Sequence, residues 1–148
     1  MLLMGRGMTL SVAESCTGGM LGATITDVHG SSSWFAGGVI SYADRIKINL
    51  LGVPESVILA FGAVSRESVE AMVKGVATIM STDCAIAVSG IAGPSGGSTG
   101  KPVGLVHMAV SARGAVKCFD TVFAGDRAAI REQATAAALE GLITLLTA

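Results

Sequence analysis

The chain has 148 residues, of which 51% are hydrophobic and 14% are charged, and its formal net charge is −1. This length suits one domain, residues 1–148, with a substantial core, while the balanced charge and the lack of a basic run argue against direct nucleic-acid binding. No apolar stretch reaches the ~20 residues that a bilayer requires, so we expect a cytoplasmic protein without membrane contact, whose large apolar fraction favours a homo-oligomer.

The hydrophobic pattern predicts strands that alternate with helices up to residue 90. The predicted elements are, in chain order, strand 8–13, helix 18–28, strand 38–42, helix 43–51, helix 55–61, helix 65–80 and strand 84–90. Thr17 and Ser65 are the predicted N-caps of the first and last of these helices, and Pro54 suits the start of the helix that follows it. The continuous apolar run CAIAVSG, residues 84–90, is typical of a buried central strand.

A hairpin and a long helix are predicted for the rest of the chain. A loop rich in Gly, Pro and Ser, residues 90–102, precedes two strands, 103–111 and 115–123, which flank the turn ARGA. Asp126 is the predicted cap of the last helix. The inward positions of that helix are Ile130, Ala134, Ala138, Leu142 and Leu145. Alternating strands and helices followed by a hairpin predict an α/β fold with a mixed sheet between helical layers.

Cysteine usage argues against a zinc site and against a disulfide framework. The chain has three cysteines, and none of them forms a CxxC pair. Cys84 and Cys118 fall in predicted strands and are interpreted as inert core residues. Cys16 lies in a different setting, a motif with several reactive side chains.

That motif is SVAESCTGGMLG, residues 11–22, which places an acid, hydroxyls and a thiol before paired glycines. A strand-to-helix turn lies at the carboxyl end of a strand, where open α/β sheets bind ligands, and the following helix directs free N–H groups to that point. Ser15 is therefore a candidate nucleophile or anion-binding residue. Two alternatives stay open: Ser15 and Thr17 serve only as helix caps, or Cys16 is the nucleophile, as a thiolate favoured by the helix N-terminus.

A serine nucleophile needs a base, and few residues qualify. The motif GxSxG is absent, and the two histidines, His29 and His107, belong to no recognisable triad. Lys47 follows the second predicted strand, where the chain returns to the same edge of the sheet. Burial would lower its pKa from about 10 and allow it to act as a base. Lys74 and Lys117 are interpreted as solvated surface residues.

A second glycine-rich stretch, SGIAGPSGGSTGKPVG at residues 89–104, does not match the P-loop motif GxxxxGK[ST]. Ser95 stands where the first glycine of that motif belongs, and Pro102 replaces its Ser or Thr. The backbone N–H groups of this loop are a candidate nest for a phosphate or carboxylate, and Ser89 adds a hydroxyl at the same edge. The alternative is a flexible surface loop without a ligand.

Five blocks of the sequence resemble the CinA C-terminal domain family, in order and over nearly the whole chain. They are AESCTGG (13–19), GSSSWFAGGVISYADRIKINLLGV (30–53), GAVS (62–65), SGIAGPSGGSTGKPVG (89–104) and FAGDRAAIREQAT (123–135). The resemblance implies a three-layer α/β/α sandwich around a mixed, mostly parallel five-stranded sheet. It also implies hydrolysis of the carboxamide of nicotinamide mononucleotide, a pyridine mononucleotide, to nicotinate mononucleotide and ammonia, with no metal and no cofactor.

The resemblance also assigns roles to matching positions. Ser15 is the implied nucleophile and Lys47 the implied base, with Tyr42 as a residue that orients Lys47 or relays a proton. The implied substrate-binding residues are Glu14, Thr17, Gly18, Gly19, Ser89, Gly90, Gly93, Arg127 and Arg131, with the phosphate against the glycine-rich loop or an arginine. The alternative function is a catalytically silent module that binds a nucleotide, or binds a protein partner in DNA uptake or repair.

Overall fold

A computed structural model describes residues 2–148 as a five-stranded mixed sheet between two layers of helices. The helices are α1 (Leu2–Arg6), α2 (Met20–Thr26), α3 (Asp44–Asn49), α4 (Glu55–Phe61), α5 (Arg66–Met80) and α6 (Arg127–Thr147), and a 3₁₀ turn spans Ser31–Ser33. The strands are β1 (Leu10–Glu14), β2 (Phe35–Ile40), β3 (Cys84–Gly90), β4 (Leu105–Ala112) and β5 (Ala115–Val122). The predicted three-layer α/β/α architecture is confirmed.

The strand order, β2-β1-β3-β4-β5, brings the carboxyl ends of three parallel strands to one edge of the sheet. β1 pairs in parallel with β2 and with β3, whereas β4 is antiparallel to both β3 and β5. Four of the five strands consequently run in the same direction. Within the sheet, β2 is the neighbour of β1 on one side and β3 is its neighbour on the other, and the chain continues from β1 to β2. The end of β1 is thus a switch point of the kind at which α/β sheets bind ligands.

Each face of the sheet has its own hydrophobic core. α2 and α6 cover one face, where Val12 and Ile86 are buried, and α5 covers the other face, where Ala85 and Ala87 are buried. β3 lies in the centre, and residues 84–88 are completely buried. Burial on both faces explains the uninterrupted apolar sequence of this strand, and the small alanines allow α5 to lie close to the sheet.

Two of the three predicted helix caps are confirmed. Ser65 Oγ and Asp126 Oδ1 each accept the backbone N–H three residues further on, at 3.1 and 2.9 Å. The prediction for Thr17 is wrong. Helix α2 begins only at Met20, and the side chain of Thr17 makes no capping hydrogen bond to it. Gly18 and Gly19 have φ angles of 58° and 107°, a left-handed conformation that a regular helix does not contain.

Strand β2 is displaced from its predicted range, 38–42, to Phe35–Ile40. Two adjacent glycines in this strand carry no side chains and so conceal its alternating pattern. Gly38 is required by the pairing with β1, because a Cβ at this position would overlap Val12. The residues after Ile40 are released from the sheet and turn toward the carboxyl edge.

The remaining helices lie close to their predicted positions. The bounds of α4 match the prediction, and α6 buries the predicted residues Ile130, Ala134, Ala138 and Leu142. The last inward residue of α6 is Leu146, whereas Leu145 is only partly buried, because a spacing of four residues from Leu142 keeps the same helix face. No helix within residues 2–148 is long and apolar enough to cross a membrane.

A close approach between α5 and the segment after α3 fixes the position of α3. Gly75 of α5 lies against the backbone of Leu51, and a Cβ on Gly75 would overlap the Leu51 carbonyl oxygen. Two residues later, the N–H of Val53 donates to the carbonyl of Lys47 at 3.1 Å. The contact at Gly75 therefore determines where α3 and its lysine lie relative to the sheet.

Replacing Gly75 by alanine tests this contact. Gly75→Ala should lower the free energy of unfolding by about 1–3 kcal/mol, the usual cost of inserting a methyl group into a packed interface. Gly5→Ala is the matched control, because a Cβ at Gly5 has no atom within 4 Å, and its stability should be unchanged or slightly higher. Urea unfolding measures both, and equal stabilities would contradict the packing argument.

Candidate active site

The carboxyl ends of β1, β2 and β3 bring polar residues from three parts of the chain to one cavity of about 180 Å³. Ser15 follows β1, Tyr42 and Lys47 follow β2, and Ser89 lies near the end of β3. The lining residues are Ser15, Cys16, Tyr42, Asp44, Lys47, Ala63, Val64, Ser89, Gly90, Ala92 and Arg127. The topology of the sheet thus assembles the cavity from residues far apart in sequence.

Ser15 and Lys47 are in direct contact in this cavity. Lys47 Nζ lies 3.1 Å from Ser15 Oγ, and it donates to the backbone carbonyls of Ser41 at 2.8 Å and Tyr42 at 3.1 Å. The lysine is only 1% exposed. In a neutral amine, two N–H groups are available for the two carbonyls, which leaves the nitrogen lone pair directed to the serine hydroxyl. The arrangement is that of a nucleophile beside its base.

The surroundings of Lys47 in the cavity lower its pKa and so shift the side chain toward its neutral form. Burial lowers the pKa of Lys47 from its ordinary value of 10.5, and the nearby Asp44 carboxylate opposes this shift. Asp44 Oδ1 lies 3.8 Å from Lys47 Nζ, and the Asp44 side chain is 58% exposed. Burial is the larger effect because the carboxylate is largely solvated, and solvent weakens its interaction with the amine.

Asp44 is a cavity residue that the sequence analysis missed. It precedes Lys47 by three residues on α3, which places both side chains on the same face of a helix. This spacing was the available signal. Ala63, Val64 and Ala92 also line the cavity, and nothing in their chemistry distinguishes them in sequence from ordinary core residues.

The alternative nucleophile and bases are less well placed. Cys16 is 6% exposed, and burial raises the pKa of its thiol to about 11, so the thiol stays protonated near neutral pH. His29 is exposed after α2, and His107 lies half-buried in β4. Neither histidine lines the cavity. Of the acid–base groups considered from sequence, the structure brings only Lys47 into contact with Ser15.

Glu14 lies behind the cavity and caps α2 from the end of β1. Its carboxylate is 2% exposed and accepts the backbone N–H groups of Gly19, Leu21 and Gly22, at 3.2, 2.8 and 3.0 Å. A buried carboxylate at a helix N-terminus is stabilised by these donors and by the helix dipole. Glu14 therefore takes the capping role that the sequence pattern predicted for Thr17.

The turn of residues 15–19, here called the Ser15 turn, keeps two backbone N–H groups free. The amide of Ser15 donates to the Val88 carbonyl at 3.0 Å, that of Gly18 donates to the Ser15 carbonyl at 3.1 Å, and that of Gly19 donates to Glu14. Within residues 2–148, the amides of Cys16 and Thr17 have no acceptor. Cys16 lines the cavity directly after Ser15, where a donor for a developing negative charge is needed, whereas Thr17 is completely buried outside the cavity lining.

The two arginines of α6 occupy different surroundings. Arg127 lines the cavity, and it donates to the Gly93 carbonyl at 2.7 Å and to the Tyr42 hydroxyl at 3.4 Å. Arg131 does not line the cavity and instead donates to backbone carbonyls of the Ser15 turn. Of the residues expected to bind substrate, Ser89, Gly90 and Arg127 line the cavity. Those that lie outside its lining are Glu14, Thr17, Gly18, Gly19, Gly93 and Arg131.

Within residues 2–148, none of the other cavities is lined by a buried amine in contact with a hydroxyl. A larger one, of about 280 Å³, lies near the start of β1 between α1, α2 and α6, and no titratable side chain lines it. Within residues 2–148, no three His, Cys, Asp or Glu side chains are grouped as ligands for a metal ion. The cavity at the Ser15 turn is therefore the candidate active site.

Comparison with known proteins gives consistent results for sequence and structure. Residues 1–146 match a family model described as the CinA C-terminal domain. A "putative competence-damage inducible protein" of Moorella thermoacetica is 46% identical over 138 residues, which are 93% of this chain and 33% of that protein. A "CinA-like protein" of Parasynechococcus marenigrum is 59% identical over 110 residues, which are 74% of this chain and 26% of that protein.

Solved structures are similar to this chain over most of their length. A CinA superfamily protein from Klebsiella pneumoniae superimposes with a TM-score of 0.95 at 37% identity, over 99% of this chain and 91% of that one. A competence/damage inducible protein from Agrobacterium tumefaciens gives a TM-score of 0.95 at 40% identity, over 99% and 89%. By contrast, the chain spans about a third of the length of the curated relatives.

Replacing Glu14 by glutamine tests the cap beneath the Ser15 turn. The amide nitrogen of glutamine cannot accept a hydrogen bond, so Glu14→Gln leaves at least one buried N–H without an acceptor and should destabilise the fold by about 1–3 kcal/mol. Glu132→Gln is the matched control, since Glu132 is exposed on α6. Thermal or urea unfolding compares the two, and a loss in Glu14→Gln no larger than in the control would contradict the capping role.

Proposed function

The chain belongs to the CinA C-terminal domain family, and on this premise we propose that it is a serine amidohydrolase that converts nicotinamide mononucleotide to nicotinate mononucleotide and ammonia. The substrate is the one that the sequence resemblance implies. The observation that carries the proposal is the 3.1 Å separation of Lys47 Nζ and Ser15 Oγ in a cavity at the switch point of the sheet. A buried amine in contact with a serine hydroxyl is the arrangement that nucleophilic attack on an amide requires.

The first step forms a covalent bond to the substrate. Neutral Lys47 takes the proton of the Ser15 hydroxyl, and the serine oxygen attacks the carboxamide carbon. The electron pair of the C=O bond moves to the carbonyl oxygen, which becomes an oxyanion. The free N–H group of Cys16, a residue that lines the cavity, donates to this oxyanion and stabilises it.

The second step releases ammonia, and the third releases the acid. As the intermediate collapses, the C–N bond breaks and protonated Lys47 returns its proton to the leaving nitrogen, so that ammonia departs and Lys47 is neutral again. Lys47 then takes a proton from water, whose oxygen attacks the ester carbon. The bond to Ser15 breaks, Lys47 returns the proton to the serine oxygen, and nicotinate mononucleotide forms as the carboxylic acid, which then loses its remaining proton to solvent.

Other cavity residues bind the nucleotide and orient the base. Arg127 is the proposed phosphate contact, because its guanidinium lies at the cavity wall beside the glycine-rich loop and pairs well with phosphate oxygens. Ser89 and Gly90 contribute a hydroxyl and an open backbone position. The backbone carbonyl of Tyr42 accepts a hydrogen bond from Lys47 and so orients it. The phenol hydroxyl of Tyr42 accepts a hydrogen bond from Arg127.

Removal of either member of the pair tests the proposal. Ser15→Ala should lower kcat for ammonia release by about 10³-fold or more, and Lys47→Met by about 10²–10⁴-fold because general acid–base catalysis is lost. Both should retain the fold and the binding of nicotinamide mononucleotide. Ser111→Ala and Lys74→Met are matched controls outside the cavity, and both should keep the wild-type rate.

Three results would contradict the proposal. A wild-type rate in Ser15→Ala would reject Ser15 as the nucleophile, and a wild-type rate in Lys47→Met would reject Lys47 as the base. If the unmodified chain binds nicotinamide mononucleotide but releases no ammonia from it, the catalytic proposal fails in favour of a silent nucleotide-binding module.

The pH dependence tests the electrostatics of the base. Because Lys47 must be neutral, kcat/KM should rise with pH through the pKa of Lys47, at a value below 10.5. Asp44→Asn removes the carboxylate that raises this pKa, so the rise should move to lower pH. Asp120→Asn, an exposed change in β5 outside the cavity, should leave the profile unchanged. A flat profile between about pH 6 and 9, or an unshifted profile in Asp44→Asn, would contradict the assignment.

A further inference from the structure

We propose that Arg131 is a positioning residue, which holds the Ser15 turn in its reactive geometry and does not bind the substrate phosphate. The geometric argument comes from the contacts of Arg131 alone. The kinetic test of this inference rests on the proposed amidase reaction. The sequence resemblance groups Arg131 with Arg127 as substrate contacts. The structure separates their roles, because only Arg127 lines the cavity.

The guanidinium of Arg131 donates hydrogen bonds to two successive carbonyls of the Ser15 turn. Nε donates to the Cys16 carbonyl at 2.9 Å, and Nη2 donates to the Thr17 carbonyl at 3.1 Å. Arg131 is half-buried on α6. A planar guanidinium with two N–H groups at a fixed spacing is suited to hold two acceptors at once. This contact joins the last helix to the residues that directly follow the nucleophile.

Peptide geometry converts this contact into control of a catalytic donor. The peptide bond between Cys16 and Thr17 is planar and trans, so its C=O and N–H point in opposite directions. When Arg131 holds the Cys16 carbonyl, the N–H of Thr17 is directed away from Arg131. Thr17 is completely buried, so its N–H lies behind the cavity, and this peptide plane is the first link between Arg131 and the donor beside Ser15.

The next peptide group follows the same rule. Arg131 holds the Thr17 carbonyl, and the N–H of Gly18, on the opposite side of that peptide, donates to the Ser15 carbonyl at 3.1 Å. One side chain thus fixes two consecutive peptide planes. The Ser15 carbonyl shares a peptide group with the N–H of Cys16, a residue that lines the cavity. The chain of hydrogen bonds from Arg131 through the peptide between Thr17 and Gly18 therefore holds the plane of this donor, and hydrogen bonds in such a chain strengthen one another.

Kinetics with two substrates distinguish positioning from phosphate binding. The substrates are nicotinamide mononucleotide and the corresponding riboside, which lacks the phosphate. Arg131→Met should lower kcat by about 10²-fold for both substrates, the usual effect of losing an oxyanion donor, with KM little changed. Arg131→Lys keeps the charge but not the planar fork, and should restore part of the rate. Arg127→Met should instead raise KM for the nucleotide only.

The opposite pattern would overturn the inference. If Arg131→Met raises KM for the nucleotide and leaves kcat for the riboside unchanged, Arg131 binds the phosphate. An equal kcat in Arg131→Met and the wild type for both substrates would show that the turn needs no support from α6. Should Arg131→Met fail to fold, as judged by circular dichroism, Arg131→Lys is measured alone, and an unchanged kcat in that variant rejects the requirement for the planar fork.

Two measurements separate a failure of this inference from a failure of the proposed reaction. The first is the rate at which a fluorophosphonate labels Ser15, followed by mass spectrometry, which needs no pyridine substrate. The second is hydrogen–deuterium exchange over residues 15–22, which needs no reactive serine. Slower labelling and faster exchange in Arg131→Met or Arg131→Lys than in Arg127→Met support the positioning role even where no pyridine amide is hydrolysed. Equal labelling and equal exchange in the Arg131 and Arg127 variants reject it.

Discussion

The buried amine of Lys47 is the feature on which the rest of the site depends. A buried amine needs hydrogen-bond partners in a protein interior, and the Lys47 amine contacts two backbone carbonyls and a serine hydroxyl. Both carbonyls belong to the segment that follows β2, and the serine belongs to the segment that follows β1. The position of the amine is therefore set by the pairing of these two parallel strands and by the contact of α5 with the segment after α3.

The charged residues near the Ser15 turn form two groups, one on the side of the turn that faces the cavity and one on the side that faces the protein interior, here called the protein side. Glu14 and Arg131 lie on the protein side, where the carboxylate accepts N–H groups and the guanidinium donates to carbonyls of one short segment. Asp44 and Arg127 lie on the cavity side. This division explains how a turn with two left-handed glycines stays ordered, since opposite charges bind its two kinds of backbone group.

The sequence predicts the parts of this structure that local patterns determine. The strand at 84–90, the helix at 55–61 and the caps Ser65 and Asp126 follow from hydrophobic runs and side chains that act within a few residues. The cap of α2 was missed because Glu14 acts from the end of a strand, at a distance of five to eight residues across a turn that no periodicity describes. The family resemblance implied substrate binding for both arginines of α6, and because residues four apart share a helix face, sequence does not show which one reaches the cavity.

Helix geometry explains why these arginines differ. Four residues advance a helix by about 6 Å, so Arg127 reaches the Gly93 carbonyl and the Tyr42 hydroxyl at the cavity wall, while Arg131, one turn further along, reaches the carbonyls of Cys16 and Thr17. Tyr42 in turn offers its own carbonyl to Lys47. A single helix thus contacts the glycine-rich loop, the segment that holds Lys47 and the turn that carries Ser15. Because α6 is anchored in the core by six buried side chains, from Ile130 to Leu146, the alignment of the hydroxyl and the amine is maintained by the same packing that stabilises the fold.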